Sequence, residues 1–392
     1  MRVITLGDLC DIVSGGTPAR SNPEFWNGGT IPWIKIGNIK QKYVNEADEF
    51  ITQAGLDGSS AKMLRKGTLL YTIFATLGDV GILNIDACTN QAIAGITIKD
   101  TKTVLPEYLY YYLHSKKKYV NDIGRGVAQN NINMTILRSF KVPLPELSEQ
   151  KTIVELLDRV AQIINARQQQ VAALDDLIKA RFVEMFGDPE LNPMEWPAET
   201  LGDVLSVEPQ NGLYKPQSDY VQDGTGIPIL RIDAFYDGKV TDFSGLKRLK
   251  CTDIERSRYL LMENDVVINR VNSLEYLGKC AWITGLIEPT VFESNMMRFH
   301  VDESRIDPCY MTRLLCSTFI YKQILNRAKK AVNQASINQG DVQSFKILVP
   351  PVGLQKKYAD FVAQVDKSKA VVQKALDEAQ LLFDSLMQKY FG

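Results

Sequence analysis

The chain of 392 residues lacks the features that mark several common classes of protein. Its six cysteines include no CxxC pair, which disfavours both a zinc finger and a secreted disulfide scaffold. No apolar run approaches the roughly 20 residues that cross a bilayer, and the N-terminus has no signal-peptide pattern. We therefore expect a protein of the reducing cytoplasm that makes no contact with a membrane.

Motifs for chemistry are also missing. The sequence has no Gly-rich loop ending in Lys-Ser or Lys-Thr for nucleotide phosphates, no Gly-x-Gly-x-x-Gly, and no Asn/Asp-Pro-Pro-aromatic signature of adenine methylation. Its two histidines, His114 and His300, are more readily explained as packed or surface residues than as catalysts. We therefore predict no catalytic residue, no cofactor and no metal site in this chain.

What the sequence does contain is a second copy of itself. Leu6-Gly7-Asp8 recurs as Leu201-Gly202-Asp203, and Ile31-Pro32 recurs as Ile227-Pro228. Ordered matches continue to the end, where Phe186-Gly187 recurs as Phe391-Gly392. The offset between copies grows from 195 at the start to 205 from Gln129 onward. The first part of each copy thus tolerates insertions, and variable loops on a constant frame suggest that the two copies recognise different targets.

Each copy consists of two parts. Residues 1–145 and 191–350 hold short β-branched runs separated by turn residues, which predicts two strand-rich, mixed α/β domains. Near the end of each domain a Tyr/Leu-rich helix is predicted, from Glu107 to about Asn121 and from Cys309 to Ala328. The predicted fold class is α+β with an internal pseudo-two-fold repeat.

The second parts, residues 146–190 and 351–392, carry apolar residues in alternating steps of three and four, with the polar Arg167, Arg181 and Ser368 filling three places. The two series are Ile153, Leu157, Val160, Ile164, Val171, Leu174, Ile178, Met185 and Tyr358, Phe361, Val365, Val372, Ala375, Ala379, Leu382, Leu386. This pattern predicts two long helices that pair as an antiparallel coiled coil and act as a spacer of roughly 60 Å. The alternative is that each helix packs only on its own domain.

Charge is balanced overall, with 45 Lys and Arg against 46 Asp and Glu, but it is unevenly distributed. Residues 115–141 hold six cations against one Asp, and residues 313–346 hold six against one as well. A lysine run alone is usually a solvated helix face. The patch is duplicated, however, and each copy is followed by an amide-rich turn, residues 129–133 and 333–338. Cations neutralise phosphates and amides can pair with adenine edges, so the pattern favours nucleic-acid binding.

Several stretches resemble the specificity subunit of type I restriction–modification enzymes. These are LGDLCDIVSGGTP, IPWIKIGNI, GRGVAQNNIN, FKVPLPELSEQKTIVELLD, FESNMMRF and LLFDSLMQKYFG, and the resemblance extends over essentially the whole chain. It implies two target-recognition domains that each read one half of a split site in double-stranded DNA. It also implies that two methyltransferase subunits dock on the helices and that motor-nuclease subunits can be added. S-adenosylmethionine, ATP and Mg would then be held by those partner subunits.

The candidate DNA-binding residues come from this resemblance and from loops that differ between the copies. Ser14–Arg20 differs from Gln210–Lys215, and the uncharged Thr72–Thr76 differs from Asn269–Ser273. The full set is Thr17, Arg20, Lys35, Asn38, Thr76, Arg125, Gln129, Asn131 and Asn133 in the first copy, and Lys215, Arg231, Arg270, Asn272, Gln334, Ser336 and Asn338 in the second.

Two other functions stay open at this point. The chain could be the recognition subunit of a related split-site enzyme that restricts and methylates DNA without a motor. It could also be a coiled-coil adaptor that gathers proteins and binds no DNA. Salt-dependent retention on duplex DNA would separate the adaptor from both DNA-binding functions.

Overall fold

A computed structural model describes residues 2–124, 131–332 and 334–392. The chain divides into two units, of which unit 1 comprises residues 1–169 and 373–392 and unit 2 comprises residues 170–372. Within the described residues no helix is both long enough and apolar enough to cross a membrane. The candidate residues Arg125 and Gln129 lie outside the described residues.

Unit 1 is built on strands, with short helices between them. The strands are β1 Arg2–Thr5, β2 Cys10–Ser14, β3 Ile31–Ile34, β4 Tyr43–Val44, β5 Glu49–Ile51, β6 Leu69–Thr72, β7 Val80–Leu83, β8 Cys88–Thr89, β9 Ile93–Ile98 and β10 Lys141–Leu144. The helices are α1 Leu6–Leu9, α2 Gln53–Asp57, α3 Pro106–Ser115, α4 Lys117–Gly124, α5 Met134–Arg138 and the long α6 Leu147–Phe186, whose first part belongs to this unit.

The strands of unit 1 form a five-stranded sheet in the order β2-β9-β6-β7-β4, a three-stranded sheet β5-β3-β8 and the pair β1-β10. The pairs β4–β7 and β3–β8 are parallel, whereas the other pairs are antiparallel. Strand β6 is a continuous run, Leu-Leu-Tyr-Thr, and is buried on both faces. A central strand needs such a run because neither of its faces meets water.

Unit 2 repeats this frame with extra strands. Its strands are β11 Ala198–Thr200, β12 Leu205–Asn211, β13 Tyr220–Val221, β14 Ile227–Leu230, β15 Phe235–Tyr236, β16 Gly238–Val240, β17 Arg248–Leu249, β18 Val266–Asn269, β19 Val271–Asn272, β20 Cys280–Trp282, β21 Val291–Phe292, β22 Met296–Val301, β23 Lys329–Lys330, β24 Ala335–Ser336 and β25 Lys346–Leu348. Its helices are α7 Asp253–Tyr259, α8 Pro308–Leu315, α9 Thr318–Arg327, α10 Gln339–Gln343 and the long α11 Val352–Phe391, whose last part belongs to unit 1.

The sheets of unit 2 are β12-β22-β18-β20-β16-β15, β13-β17-β14-β21, β19-β24-β23 and the pair β11-β25. The parallel pair β14–β21 matches β3–β8 of unit 1, and the parallel pair β16–β20 matches β4–β7. The described residues therefore confirm the predicted α+β class and the internal repeat.

A buried glutamine shows how closely the copies agree. Gln150 lies at the start of α6 with no exposed surface, accepts a hydrogen bond from the Leu105 N–H (3.0 Å) and donates to the Thr103 and Pro145 carbonyls (3.0 and 2.9 Å). Gln355, at the start of α11, makes the equivalent three bonds. Each side chain thus satisfies three backbone groups that would otherwise be buried without partners.

The long helices pack against each other inside each unit. In unit 1 the N-terminal part of α6, with Ile153 and Leu157, shares a core with Met387 and Phe391 at the C-terminal end of α11. In unit 2 the C-terminal part of α6, with Phe182 and Phe186, shares a core with the early α11 residue Tyr358. In both units the start of one helix meets the end of the other, so the pairing is antiparallel, as predicted.

The packed stripe is wider than the predicted heptad seam. Phe182, Val362, Met387 and Phe391 lie outside the seam series and are buried in the domain cores. Conversely, the seam residue Leu382 is 51% exposed, and its neighbour Phe383 packs against the core instead. The reason is that the ends of each helix face a domain as well as the other helix. A narrow stripe with two apolar residues per heptad can pack against only one neighbouring helix.

The predicted helix near the end of each domain is two helices. In unit 2 α8 ends at Cys316 and the hydroxyl of Ser317 caps α9, accepting from the Ile320 N–H. In unit 1 α3 ends at Lys116. The break was hidden in the sequence because the apolar residues continue through it.

Candidate nucleic-acid interface

In unit 1 the first candidate cations meet on one carboxylate. The Arg20 guanidinium lies 2.6 Å from Glu49 Oε2, and the Lys35 ammonium pairs with Glu49 Oε1. Arg20 also lies over the ring of Trp26, with its Cζ 3.7 Å from the ring centroid. The Trp33 indole donates to the Gly16 carbonyl (2.9 Å) and fixes the loop that carries Arg20. We call Arg20, Lys35 and Glu49 the Glu49 cluster.

The Glu49 cluster is partly open to solvent, with the Arg20 side chain 54% exposed. Hydrogen bonds from Arg20 and then Lys35 lower the pKa of the Glu49 carboxyl. An arginine stacked on an aromatic ring and paired with a single carboxylate keeps donors that can face a phosphate or a base edge.

Other candidates of unit 1 have structural partners. The Asn38 Oδ1 accepts from the Lys35 N–H (2.9 Å), and the Thr17 hydroxyl donates to Gln91 Oε1. Asn133 caps α5, its Oδ1 accepting from the Ile136 N–H (2.9 Å). Thr76 is exposed, and Asn131 forms an isolated backbone bridge with Phe74 in the neighbouring loop. Asn131 therefore lies beside the loop that carries Thr76.

In unit 2 the residue equivalent to Lys35 is Arg231, which is held differently. Its Nε lies 3.9 Å from Glu293 Oε2, and its Nη1 is 3.2 Å from the Tyr220 hydroxyl. Glu293 is 7% exposed and accepts from the Ile232 N–H at 2.6 Å. Burial raises the pKa of the Glu293 carboxyl, against the lowering effects of the Ile232 N–H and of Arg231. We call Arg231 and Glu293 the Glu293 cluster.

A second surface of unit 2 is a small sheet that brings four candidates together. Strand β24 pairs with both β19 and β23, so Ser336 lies opposite Val271 and Lys329. Asn272 belongs to β19, and Arg270 directly precedes it, with its Nη1 donating to the Ser294 carbonyl (3.0 Å). We call this element, residues 270–272, 329–330 and 335–336, the Arg270 sheet. Gln334 is exposed beside it.

Two candidates of unit 2 are engaged elsewhere. Lys215 pairs with Glu255 (2.9 Å) and Asp219 (3.5 Å), with 15% of its side chain exposed. The hydrogen bond with Glu255 raises the pKa of Lys215. Asn338 forms a capping box with Asp341 at the start of α10, at 2.8 and 2.9 Å.

The duplicated basic patch is smaller in the structure than in the sequence. Several of its cations have intramolecular partners: Lys117 with Asp79, Arg138 with the Ile12 carbonyl, Arg313 with Asp237, Lys322 with Glu190, and Lys116 with the Phe391 carbonyl. Exposed cations of the patch include Lys118, Lys141, Lys329, Lys330 and Lys346.

The sequence reasoning missed the groups that hold the cations. Glu49 and Glu293 were not candidates, although each fixes a candidate basic residue. Lys329 and Lys330 were counted in the charge total but not as site residues, and they lie in the Arg270 sheet. In the sequence, the Lys329-Lys330 pair shortly before the amide-rich residues was the signal from which the β23–β24 pair could have been predicted.

The histidines have structural surroundings. His114 stacks on Tyr110 with 6.2 Å between ring centroids, and burial lowers its pKa. His300 contacts Asp265 and Glu303, each at 3.1 Å. Among the residues that the structure describes, no three His, Cys, Asp or Glu side chains are grouped to hold a metal ion.

Two copies of a strand frame, each presenting basic and amide side chains from variable loops, define the class of duplicated recognition proteins. The family model described as the type I restriction modification DNA specificity domain matches residues 1–173 and 193–380. The chain belongs to this family.

Relatives of full length agree with this assignment. The type I restriction enzyme MjaIX specificity subunit of Methanocaldococcus jannaschii is 26% identical over 403 residues, covering 97% of this chain and 90% of that protein. The EcoKI specificity subunit of Escherichia coli is 25% identical over 388 residues, covering 92% of this chain and 82% of its own length.

Solved structures support the fold. The S subunit of a type I restriction–modification system from M. genitalium aligns with a TM-score of 0.59 at 15% identity, over 100% of this chain and 96% of that one. A chain from a structure of complex assembly in a type I R-M system aligns with a TM-score of 0.58 at 17% identity, over 100% and 97%.

Proposed function

We propose that this chain is the DNA-recognition subunit of a type I restriction–modification complex, and that it reads a bipartite site with one unit per half-site. The observation that carries the proposal is the duplicated frame with different side chains at equivalent surface positions. Lys35 is replaced by Arg231, and their carboxylate partners come from different strands. Two domains that share a frame and differ at such positions are suited to two different sequences.

The Arg270 sheet is the best candidate for base readout in unit 2. The Ser294 carbonyl orients the Arg270 guanidinium through Nη1, and Nε is buried, which leaves Nη2 for a ligand. Arginine pairs bidentately with guanine, whereas lysines such as Lys329 and Lys330 are suited to phosphates. We infer that Arg270 and Asn272 contact bases and that the two lysines set the position on the backbone.

The substitution Arg270→Ala tests this inference. We expect the mutant to lose discrimination at one base position of one half-site, by about 1–3 kcal/mol, with the other half-site unchanged. Selection of bound duplexes from a random pool by the assembled methyltransferase measures this. Arg305→Ala is the matched control, because Arg305 Nη2 donates to both carboxylate oxygens of Glu199 at 2.7 Å and Nη1 donates to the Asp203 carbonyl. Uniform weakening across all sequences would instead assign Arg270 to a phosphate.

We further propose that two methyltransferase subunits dock on the long helices and carry the S-adenosylmethionine site, and that motor-nuclease subunits with ATP and Mg can join them. Support comes from the exposed Leu177 of α6 and Leu382 of α11. These leucines are 45% and 51% exposed and occupy equivalent positions of the repeat. Equivalent apolar positions in each copy suit two identical partners. The six free thiols fit a cytoplasmic location.

Charged substitutions at these leucines test the docking. We expect Leu177→Asp and Leu382→Asp each to weaken capture of one methyltransferase subunit by roughly 10-fold or more, and the double mutant to lose both. Native mass spectrometry of the complex counts the bound subunits. The control is Ile254→Asp, because Ile254 is 81% exposed on α7 and away from the helices. Full assembly of the double mutant would show that the partners dock elsewhere.

A further inference from the structure

Two cysteine sulfurs of unit 2 lie in contact. The Sγ atoms of Cys280 and Cys316 are 3.5 Å apart, and all six cysteines of the chain are free thiols. Cys280 is the first residue of β20 and pairs with Ile268 of β18. Cys316 lies where α8 ends, directly before the residue that caps α9. Two reduced thiols from distant parts of the sequence are thus placed side by side.

The two thiols differ in accessibility. Cys280 has no exposed surface, whereas Cys316 is half-buried; Cys316 lines a cavity of about 370 Å³, and both cysteines line a second one of about 360 Å³. These cavities are large enough to admit a small polar oxidant. The hydrogen bond with Cys280, together with the Arg313 guanidinium, lowers the pKa of the Cys316 thiol. Burial raises the pKa of Cys10 and of Cys309 to about 12, so those thiols stay protonated.

We propose that Cys280 and Cys316 form a modification site that hydrogen peroxide closes into a disulfide. The Cys316 thiolate attacks one peroxide oxygen, the O–O bond breaks, and a sulfenic acid forms while hydroxide departs. That hydroxide takes up the proton that the Cys316 thiol gave up on ionising and becomes one water. The Cys280 sulfur then attacks the sulfenic sulfur, and the hydroxyl leaves with the Cys280 proton as a second water. The two thiols lose two protons and two electrons in total, and the peroxide takes them up.

The site belongs to the second copy alone. The positions equivalent to Cys280 and Cys316 in the first copy are Val80 and His114, so unit 1 cannot be cross-linked in this way. In unit 2 the bond would tie the α8–α9 junction to β20, whose partner strand β18 ends at Asn269, directly before Arg270. The path from Cys280 to Arg270 is short, because the N–H of Asn269, the residue before Arg270, donates to the carbonyl of Lys279, the residue before Cys280 (2.8 Å).

Oxidation of the full chain tests the proposal directly. The reduced protein is treated with stoichiometric hydrogen peroxide, blocked with N-ethylmaleimide, digested and analysed by mass spectrometry. We expect a Cys280–Cys316 peptide pair that is lighter by about 2 Da than its reduced peptides. It should form at least roughly tenfold faster than any modification of Cys10 or Cys309. Loss of the pair on reduction would confirm that the bond is reversible.

Matched variants separate this site from general thiol oxidation. Cys280→Ser should leave a sulfenic acid on Cys316 that dimedone traps, and Cys316→Ser should abolish both products. Cys309→Ser should leave the cross-link unchanged, although Cys309 lines the same cavity as Cys316. First oxidation at Cys251, a Cys309–Cys316 bond, or no cross-link in the folded protein would overturn the proposal.

The effect of the disulfide on DNA recognition rests on the proposed function and is measured separately. We expect the oxidised chain to change its affinity for the half-site of unit 2 by roughly twofold or more, with the half-site of unit 1 unaffected. The change should be absent in Cys316→Ser. An equal response of both half-sites would overturn this coupling. A chain that forms the cross-link but binds no DNA even when reduced would overturn the proposed function and leave the modification site standing.

Discussion

The two units hold a basic side chain at the same point, directly after β3 in unit 1 and after β14 in unit 2, but its buried or half-buried carboxylate comes from β5 in unit 1 and from the residue after β21 in unit 2. In unit 1 Pro32 pairs with Phe50, so Glu49 is the next residue along β5 and reaches Lys35. In unit 2 Pro228 pairs with Arg248, and the residue equivalent to Glu49 is Lys247. Arg231 instead has Asp233 at 3.7 Å and the buried Glu293 at 3.9 Å, the latter at the position equivalent to Asn90.

This difference shows that the backbone register of the repeat is kept in both copies, whereas the charges placed on it are not. The backbone register is the same, because the parallel pairs β3–β8 and β14–β21 both follow the conserved Ile-Pro step. The charges on that register have been rearranged, with a carboxylate in one copy where the other has an ammonium. A buried carboxylate holds Arg231, whereas a half-exposed one holds both Arg20 and Lys35. The frame therefore fixes where a cation is presented, and the residue types at neighbouring positions of the same frame decide how it is held.

The largest expected effect comes from removing a contact that both units share, the buried glutamine at the start of each long helix. Gln150→Leu and Gln355→Leu should each lower the free energy of unfolding of their own unit by roughly 3 kcal/mol or more. The reason is that one N–H and two carbonyls are left buried without partners. Hydrogen exchange followed by mass spectrometry measures each unit separately. The control is Gln373→Leu, because Gln373 is exposed on α11, and its effect should stay within about 0.5 kcal/mol. Unequal losses in the two units would contradict their equivalence.

The next effect measures how differently Glu293 and Glu49 contribute to the stability of their units. Glu293→Gln should destabilise unit 2 by about 1–2 kcal/mol, since Arg231 loses its buried partner. Glu49→Gln should change unit 1 by less than about 1 kcal/mol, because its pairs are half-exposed. Thermal unfolding of each variant, with exchange to assign the unit, gives both values.

A transplant tests the same idea from the other side. Adding Lys247→Glu to Glu293→Gln moves the carboxylate of unit 2 to the position that Glu49 occupies in unit 1. We expect this double mutant to recover part of the stability and of the half-site selectivity that Glu293→Gln loses. Lys247→Gln in the same background serves as the control. If both double mutants behave alike, the carboxylate at this register does not anchor Arg231.

The smallest effect concerns pH. Burial raises the pKa of Glu293, whereas hydrogen bonds from Arg20 and Lys35 lower that of Glu49, so Glu293 should protonate first as the pH falls from neutral. A lowered pKa adds stability above the ordinary glutamate value, which is lost as pH falls through the lowered one. A raised pKa adds stability below the ordinary value, which is lost as pH rises through the raised one. Carboxyl ¹³C titration, assigned with Glu49→Gln and Glu293→Gln, gives the order, and the reverse order would refute this account.

Much of the fold could be predicted because it depends on patterns that repeat within the chain. Matched motifs at a changing offset predicted the internal repeat, and the three-four spacing located α6 and α11. The spacing failed at Leu382, because the end of α11 faces a domain as well as a helix. Periodicity along one helix does not reveal how many neighbours that helix has.

The candidate site was less predictable, because a polar residue in a loop can bind the loop itself. Asn133 and Asn338 were predicted to face DNA, and their Oδ1 atoms cap α5 and α10. The Asn338 box with Asp341 follows a spacing that the sequence already contained. Lys215 is likewise engaged by Glu255, which lies 40 positions further along the chain. No local pattern indicates such a partner.

The sequence by itself determined the duplication, the strand-rich domains, the two long helices and the family, since these depend on order, spacing and composition along the chain. Only the tertiary structure decided which cations keep donors for a ligand, because that depends on carboxylates brought in from distant strands. It also decided that Cys280 and Cys316 touch, whereas the equivalent Val80 and His114 carry no thiols. Contacts between residues far apart in sequence are set by packing, and no single segment of the sequence determines that packing.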